Sequence, residues 1–381
     1  MIFNSFEFFF FFAITAILFG IVKQQHRQWV LLIFSVGFFL SFGIKGLFYL
    51  LFTTATTFFC AIAIEKLASN KNQNQATKLH KNIVLALGLV LNLGILVAVK
   101  YFNFLFGGIV GLFNGSFNAI SFFIPLGISF YTFQMMGYLI DVYRQMAVAQ
   151  KNFFRMLLFA GYFPQMIDGP ISRYGDICDS LYSPPPIEYT RCRNALVLFT
   201  WGLFKKICVA DNLKFYVDII FKNYDSYHGI MILSGAVAYA IYLYADFGGC
   251  IDMARGISAY FGINLKNNFE RPYFSTSVEE FWRRWHITLS TWFRDYLFYP
   301  LQRTTCFKNL GKKLKNKGYK KAAKAIPAIL ALLVVWLTTG LWHGANLTYV
   351  AWGLYYGMFM VFGVLWNTYR KKGTKKRAFG Y

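Results

Sequence analysis

The sequence predicts an all-α, polytopic membrane protein with about nine to eleven membrane helices, some of them re-entrant or half-helices. Of its 381 residues, 57% are hydrophobic and 14% are charged, whereas soluble domains carry about 25% charged residues. Apolar runs also recur from one end of the chain to the other. We therefore expect one integral membrane domain over 1–381 rather than a string of soluble domains.

Nine segments are candidate membrane helices, since a spanning helix needs about 20 mostly apolar residues. They are 6–22, 28–42, 46–65, 82–106, 119–140, 192–210, 230–247, 326–343 and 347–368. Two shorter apolar pieces, 107–113 and 153–167, are ambiguous. They are interpreted as half-helices or re-entrant segments, whose backbone needs protein or a water-filled cavity around it.

The net charge of +23 is concentrated in short basic clusters between the apolar runs. The clusters cover 66–81, 308–324 and 370–377, the last within a basic tail at 370–381. Lys and Arg collect on the cytoplasmic side of membrane proteins. Two predicted helices separate the last two clusters, so both clusters can face the cytoplasm. The charge therefore indicates topology and contact with anionic lipids, and no nucleic-acid partner is expected.

Two acidic residues, Asp246 and Asp252, follow a good apolar span. Charged side chains at membrane depth are rare, and they are functional candidates by default. Asp246 lies in the sequence YLYADFGGCIDMARG, and the glycines after it permit a bend or a close backbone approach. Two interpretations stay open: a carboxylate that binds substrate or relays protons, or an acid at a helix end in water.

The stretch EEFWRRWHITLSTWFRDYLFYPL, 279–301, carries an unusual amount of charge among aromatic residues. If it is a helix, its polar residues at i, i+3, i+7 and i+11 share one stripe; they are Arg283, His286, Ser290 and Arg294. Trp285 takes another face. Two interpretations remain: an interfacial helix with its polar side in water, or a helix that lines a hydrated internal cavity.

A second histidine lies in the sequence LWHGAN at the end of an apolar span. His343 stands between Trp342 and Gly344, and Asn346 follows three positions later. Of the five histidines, only this one and His286 combine aromatic surroundings with flanking polar residues. A lone histidine near a helix end is usually structural, but two of them in Trp-His contexts favour a shared site.

Covalent and metal catalysis find little support in the sequence. There is no G-x-S-x-G elbow for a serine nucleophile, and the six cysteines form no C-x-x-C pair. No H-E-x-x-H pattern accompanies the histidines. We therefore expect neither an acyl-enzyme nor a bound metal.

Several motifs occur in a characteristic order: IPLGISFYTFQMMGYLIDVYR, FPQMIDGPISRYGDI, FWRRWHITLSTWFRDYLFYPL and GLWHGANLTYVAWGLYYG. In this order they resemble the membrane-bound O-acyltransferase family, and more closely its bacterial alginate O-acetyltransferase branch. The resemblance covers about 90–369. It implies helices around a central tunnel or funnel, a catalytic role for His343, and His286 as its companion.

The resemblance implies transfer of an acyl group, acetyl in this branch, from a cytosolic thioester to hydroxyls of a cell-surface or exported polysaccharide. A neutral imidazole can take the hydroxyl proton during attack, so we expect His343 to be the general base, kept neutral by burial. His286 would orient the acceptor, position His343 or donate to the oxyanion. Arg283 and Arg294 would attract anionic groups of the donor, or contact lipid head groups.

Further candidate substrate-binding residues surround the two histidines in sequence; they are Trp285, Ser290, Trp342 and Asn346, with Asp246 added from the acidic span. The expected co-substrate is an acyl thioester, either acetyl-CoA or an acyl carrier, and no cofactor is expected to be tightly bound. The expected partners are the lipid bilayer, a glycan acceptor, and a separate extracytoplasmic acetyltransferase. The expected location is the bacterial plasma membrane.

Three alternatives stay open. A transporter or flippase would use Asp246 and the histidines as a proton relay, although the sequence shows no internal repeat. Within the family, the chain would instead transfer D-alanine to teichoic acids from a carrier-protein thioester. Acylation of a lipid or a protein is a more distant resemblance.

Overall fold

The computed structural model describes residues 1–70, 74–113, 115 and 117–370, and every regular element in that part of the chain is a helix. The predicted all-α class is therefore confirmed. The chain divides into two compact units, Met1–Phe269 (unit 1) and Glu270–Tyr381 (unit 2). A single domain over 1–381, and a central tunnel or funnel within it, stay predictions.

Unit 1 is built from helices α1 to α12. Their bounds are Phe6–Ile21, Arg27–Leu40, Ile44–Ala68, Gln75–Lys100, Phe102–Leu112, Ile128–Tyr143, Phe153–Gly161, Phe163–Met166, Tyr174–Tyr182, Tyr189–Phe204, Asp211–Lys222 and Ile230–Tyr260. Short 3₁₀ turns lie at Gln24–His26 and Tyr224–Ser226, and a π-helical turn, Lys205–Ala210, joins α10 to α11.

Side-chain caps begin three of these helices. Ser5 Oγ accepts a hydrogen bond from the backbone N–H three residues on, at 3.3 Å, and Asn74 Oδ1 does the same at 2.8 Å. Asn152 Oδ1 accepts from the N–H two residues on, at 3.0 Å. Each cap pairs a donor that the first helical turn leaves open, which is worth about 1 kcal/mol.

The apolar piece at 153–167 forms two short helices, α7 and α8, inside unit 1. Every residue of α8 is buried. The ring of Phe163 lies at the centre of an aromatic cluster, with ring centroids 5.3–6.4 Å from those of Phe8, Phe11, Phe38 and Phe261. Residues 156–166 of this piece are therefore covered by protein, as a short apolar segment requires, whereas Phe154 near its start is exposed.

Two lysines at the start of the π-helical turn that follows α10 pair with acids of α12. Lys205 Nζ lies 2.6 Å from Asp252 Oδ2, and Lys206 Nζ lies 2.6 Å from Asp246 Oδ1. Lys206 Nζ also lies 2.8 Å from Asp211 Oδ1. The π-helical turn explains this last contact, because its i, i+5 hydrogen-bond period brings residues five apart onto one face.

Unit 2 is built from helices α13 to α18. Their bounds are Val278–Arg284, Ile287–Phe293, Tyr299–Arg303, Thr305–Asn316, Lys320–His343 and Leu347–Tyr369. A 3₁₀ turn lies at Pro272–Phe274, and a second π-helical turn, Arg294–Phe298, joins α14 to α15.

The two long helices of unit 2, α17 and α18, pack backbone against backbone at a glycine from each. A Cβ on Gly340 would lie 2.4 Å from the carbonyl oxygen of Tyr349. A Cβ on Gly353 would lie 2.4 Å from the carbonyl oxygen of Trp336. No larger residue fits at either position without moving a helix, so these glycines set the distance between α17 and α18.

Five helices of the described residues are long and apolar enough to cross a membrane: α3, α4, α12, α17 and α18. Two shorter helices, α1 and α5, are also apolar. Each of the nine predicted segments contains a helix, which confirms a polytopic helical membrane protein. The basic cluster at 308–324 is described completely, whereas 71–73 and 371–381 lie outside the described residues.

Several predicted segment boundaries differ from the observed helices; segment 230–247, for example, ends within α12, which continues to Tyr260. Segment 119–140 becomes helical only at Ile128, because Gly127 before it has a left-handed backbone with a φ of 67°. Segment 82–106 is interrupted, since α4 ends at Lys100 and α5 begins at Phe102.

Candidate functional site

Unit 2 contains a cavity of about 490 Å³ lined by residues of α13, α14, α17 and α18. Its lining is largely apolar and aromatic, with a few polar side chains, as in many small-molecule sites. Six of the residues selected from the sequence line it, and they are Arg283, Trp285, His286, Ser290, Arg294 and His343. The structure thus brings the two histidines, 57 positions apart in sequence, to one cavity.

The interpretation of 279–301 as one continuous helix is wrong. Helix α13 ends at Arg284, and α14 begins at Ile287. Between them His286 has a left-handed backbone with a φ of 47°, which is uncommon for a residue with a side chain. Its carbonyl accepts the first hydrogen bond of α14 from the N–H of Ser290, at 3.0 Å.

The polar residues of 279–301 still share one side of the chain despite this break between α13 and α14. Arg283 comes from α13, His286 from the junction and Ser290 from α14, and all three line the cavity. Arg294, the first residue of the π-helical turn, lines it as well, and its Nε lies 3.0 Å from Asp295 Oδ1. The geometry of this stripe therefore fits the lining of a cavity rather than the wet side of an interfacial helix.

His286 is buried, with 3% of its surface exposed. It lies outside the five apolar helices named above. Burial, together with the neighbouring His343, lowers the pKa of His286 from 6.5 to about 3. Its ring meets Trp342 edge-on, with centroids 5.8 Å apart. His286 is therefore a neutral imidazole at physiological pH.

His343 is exposed, in contrast to the burial that the sequence led us to expect for it. It is the last residue of α17, where the chain turns into the extended backbone of Gly344. Its ring stands edge-on between two tryptophans, with centroids 5.0 Å from Trp342 and 4.9 Å from Trp352. The indoles therefore fix the imidazole plane while the ring remains open to the cavity.

Trp342 contacts both imidazoles without being among the residues that line the cavity. Asn346 caps the start of α18, where its Oδ1 accepts from the backbone N–H of Thr348 at 3.0 Å and from the hydroxyl of Thr348 at 3.1 Å. The side chain of Asn346 is thus a helix cap. Asp246 belongs to unit 1 and pairs with Lys206. Substrate binding by these three residues stays a prediction.

Part of the cavity wall is formed by residues that the sequence motifs did not single out. Thr339 and Trp336 of α17 line the cavity one and two turns before His343. The sequence does carry a signal for both residues, because positions four and seven before His343 lie on the same face of a helix as His343. Trp336 also packs against Trp282, another lining residue, with ring centroids 4.8 Å apart.

No group of three or more His, Cys, Asp or Glu side chains within the described ranges has the arrangement to hold a metal ion. The polar side chains that line the cavity offer acid–base and hydrogen-bonding chemistry. They are two imidazoles, the carboxylate of Glu279, the hydroxyls of Ser290, Thr291 and Thr339, and the guanidinium groups of Arg283 and Arg294.

Comparison with known proteins gives three kinds of relative. The model of the membrane-bound O-acyltransferase family matches residues 149–379. A probable alginate O-acetylase AlgI of Pseudomonas syringae pv. tomato is 34% identical over 365 residues, which cover 94% of this chain and 65% of the relative. A peptidoglycan O-acetyltransferase of Helicobacter pylori is 30% identical over 359 residues, covering 87% of this chain and 63% of the relative.

A teichoic acid D-alanyltransferase of Bacillus subtilis is 30% identical over 263 residues, covering 67% of this chain and 62% of the relative. The chain thus spans somewhat under two thirds of the length of these relatives. Both histidines lie within the residues that the family model matches.

Proposed function

Because the chain belongs to the membrane-bound O-acyltransferase family, we propose that it is an acyltransferase that acylates hydroxyl groups of a cell-surface or exported polysaccharide. The names of two relatives, an alginate O-acetylase and a peptidoglycan O-acetyltransferase, support a glycan acceptor and an acetyl group. The single observation that carries the proposal is the shared cavity of His286 and His343 in unit 2.

His343 acts as the general base. A sugar hydroxyl is a poor nucleophile at neutral pH, and an imidazole within hydrogen-bond reach can take its proton as the oxygen attacks. The attack forms a C–O bond to the thioester carbon and breaks the C–S bond. The proton passes to His343 and then to the departing thiolate. The open position of His343 on the cavity supports this role, because its proton must come and go.

His286 acts as a neutral partner. A buried imidazole with a pKa near 3 does not take part in proton exchange at neutral pH. It can still donate one ring N–H, and a donor aimed at the developing oxyanion lowers the barrier most when the site excludes water. We assign it the stabilisation of the oxyanion or the orientation of the acceptor hydroxyl.

The donor is an acyl thioester, either acetyl-CoA or an acyl carrier, used as a co-substrate rather than a bound cofactor. Both candidates carry phosphate groups, and Arg283 and Arg294 on the cavity offer guanidinium groups that pair with phosphate. We place the protein in the bacterial plasma membrane, where a cytosolic thioester and an exported glycan meet. The proposed partner is a separate extracytoplasmic acetyltransferase that acts on the same glycan.

D-alanyl transfer to teichoic acid is the second candidate, and the D-alanyltransferase relative favours it. It uses the same attack by a hydroxyl on a thioester, so the identity of the acyl group distinguishes the two. A transporter has less support, because family membership indicates acyl transfer and because Asp246 is ion-paired with Lys206.

The test is the ester content of the surface glycans. Deletion of the gene should remove O-acetyl esters, measured by mass spectrometry after mild alkaline release, and the intact gene should restore them. His343→Ala should restore none, while His228→Ala, at an exposed histidine of unit 1, should restore all. Loss of D-alanine esters instead would favour the second candidate. Full restoration by His343→Ala at normal membrane levels would show that His343 is not the base.

A second measurement separates an enzyme from a transporter. The purified protein, given a radiolabelled acyl thioester and a soluble glycan, should release free thiol in proportion to ester formed. A transporter would consume no thioester. Thiol release that persists without any glycan would indicate hydrolysis, and it would contradict transfer to a hydroxyl.

A further inference from the structure

Five lysines of unit 2 line a second cleft, of about 670 Å³, away from the histidine cavity. It is formed by α16, the first turns of α17 and the end of α18. The lysines are Lys312, Lys315, Lys320, Lys321 and Lys324. None of the described residues that line the cleft is acidic.

A tight helix–turn–helix brings these lysines together. Gly318 turns the chain with a φ of 86°, and the N–H of Tyr319 donates to the carbonyl of Leu314 at 3.0 Å. Helix α16 then lies close to α17, since a Cβ on Gly311 would be 3.2 Å from the carbonyl oxygen of Ala323. The lysines of α16 therefore face those of α17 across the cleft.

This arrangement is more specific than topology requires. The bias that places lysines on the cytoplasmic side constrains the side of the membrane and not their convergence on one cleft. Within the described part of the chain no ion pair involves any of the five. A cleft lined by one sign of charge focuses the electrostatic field and concentrates ions of the opposite sign.

We propose that this lysine cleft is a binding site for a ligand that carries two or more phosphate groups. Ammonium groups on flexible stems suit phosphate, whose oxygens accept charge-assisted hydrogen bonds from several directions. Five ammonium groups around one cleft match a ligand with more than one phosphate group better than a ligand with a single carboxylate. The ligand is either a phospholipid head group or a soluble phosphorylated molecule, and the inference does not depend on the acyl transfer proposed above.

The test uses the full-length protein in nanodiscs of zwitterionic lipid. One arm measures binding of inorganic pyrophosphate by isothermal titration calorimetry. The other measures retention of cardiolipin, a lipid with two phosphates, by native mass spectrometry. The cleft variant is Lys312→Gln with Lys315→Gln and Lys321→Gln. The matched control is Lys308→Gln with Lys313→Gln and Lys317→Gln, which removes the same charge from the same segment outside the cleft lining.

The cleft variant should weaken binding of at least one probe by about tenfold or more, since removing one charge-assisted hydrogen bond weakens binding by roughly that factor. The control should weaken it by less than about twofold. Glutamine keeps the helix propensity of lysine, so both variants should melt at the temperature of the unmodified protein.

Dependence of pyrophosphate binding on the cleft lysines would identify a soluble phosphorylated ligand. The same dependence for cardiolipin alone would identify a lipid head group. The proposal is overturned if neither probe binds, or if the cleft variant and the control weaken binding equally, because the effect is then one of net charge. Ester formation need not change in either variant, so failure here leaves the proposed function intact.

Discussion

His286 loses its hydration when unit 2 folds, whereas His343 keeps contact with the cavity. Burial penalises the charged form of an imidazole, so His286 stays neutral well below the usual titration range of histidine. A histidine that only donates a hydrogen bond functions well when it stays neutral, whereas a general base needs contact with the group whose proton it takes. Burial therefore suits His286 to donation, and exposure to the cavity suits His343 to proton transfer.

The depressed pKa of His286 predicts a pH-dependent stability. The unfolded chain binds a proton at His286 below about pH 6.5, and the folded chain does so only near pH 3. The contribution of His286 to the free energy of unfolding is thus complete above pH 6.5. Between about pH 6.5 and pH 3 this contribution falls by about 1.4 kcal/mol for each pH unit. Melting of the detergent-solubilised protein between pH 7.5 and 5 should show this slope.

His286→Gln should flatten that slope by the contribution of one proton, because glutamine does not titrate. His228→Gln, at an exposed histidine, should leave it unchanged. Equal slopes in the unmodified protein and in His286→Gln would show that His286 is not the group that loses its proton on folding.

The residue spacing of 279–301 predicted which side chains share one face, and it did not predict how the backbone carries them. The helical period placed Arg283, His286 and Ser290 on one side. A left-handed residue at His286 has no sequence signal, since glycine or asparagine normally marks such a position. Burial of the imidazole against Trp342 is a tertiary contact, and only the folded unit reveals it.

At the level of helices, the pair α17 and α18 carries His343 and Trp352 to one place. The distance between these helices is set where Gly340 and Gly353 let their backbones meet. Close approach gains dispersion energy along both helices, and a methyl group at the contact would forfeit it. Loss of this packing would move the wall of the cavity.

We predict opposite effects for the same substitution at two glycines of α18. Gly353→Ala should destabilise the protein by about 1–3 kcal/mol, because its methyl group would overlap the backbone of α17. Gly363→Ala should be neutral or stabilising by up to about 1 kcal/mol, since a Cβ there meets no neighbour within 4 Å and alanine favours the helix. Thermal unfolding in one detergent measures both, and equal shifts would contradict the packing argument.

The ion pair between the π-helical turn Lys205–Ala210 and α12 gives a second prediction at this level. The side chains of Lys205 and Asp252 are 15% and 14% exposed, whereas those of Lys222 and Asp218 on α11 are 74% and 43% exposed. Asp252→Asn leaves a poorly hydrated ammonium without its carboxylate and should cost about 3 kcal/mol.

Asp218→Asn removes the same charge from a well-hydrated pair, and it should change stability by less than about 1 kcal/mol. Chemical denaturation of the purified protein compares the two variants. Similar losses of stability in both variants would show that burial does not determine the strength of these ion pairs.

For the molecule as a whole, composition and hydropathy predicted an all-helical membrane protein correctly, because apolar runs of spanning length have few other solutions. Where a helix begins was less accessible. The start at Ile128 depends on the left-handed Gly127, and the interruption at Tyr101 follows Lys100, the single charged residue in segment 82–106. Thr339 could be predicted as a cavity-lining residue only after His343 was chosen, because helical spacing is counted from that histidine.

The basic clusters predict a topology for the second half of the chain. With α17 and α18 both crossing the membrane, the cluster at 308–324 is cytoplasmic and the connection between the two helices faces the other side. In a background in which the exposed Cys208 and Cys306 are replaced by serine, Asn346→Cys should react with an impermeant maleimide on intact cells. Lys313→Cys should react only after permeabilisation.

The reverse pattern of labelling would place the lysine cluster outside the cytoplasm. Labelling of both positions on intact cells would show that α17 and α18 do not both cross. Either result is read by mass tagging on a gel, with the permeabilised sample as the measure of complete reaction.

The π-helical turn Lys205–Ala210 has a consequence for how this chain tolerates changes in length. Lys206 reaches Asp211 across five positions because the turn is one residue wider than an α-helical one. Removing a single residue between them would leave an ordinary turn in which the same pair meets across four positions. A one-residue deletion here would therefore preserve the charge pair and also the face that α11 presents after it, because the wider turn is what accommodates the extra residue.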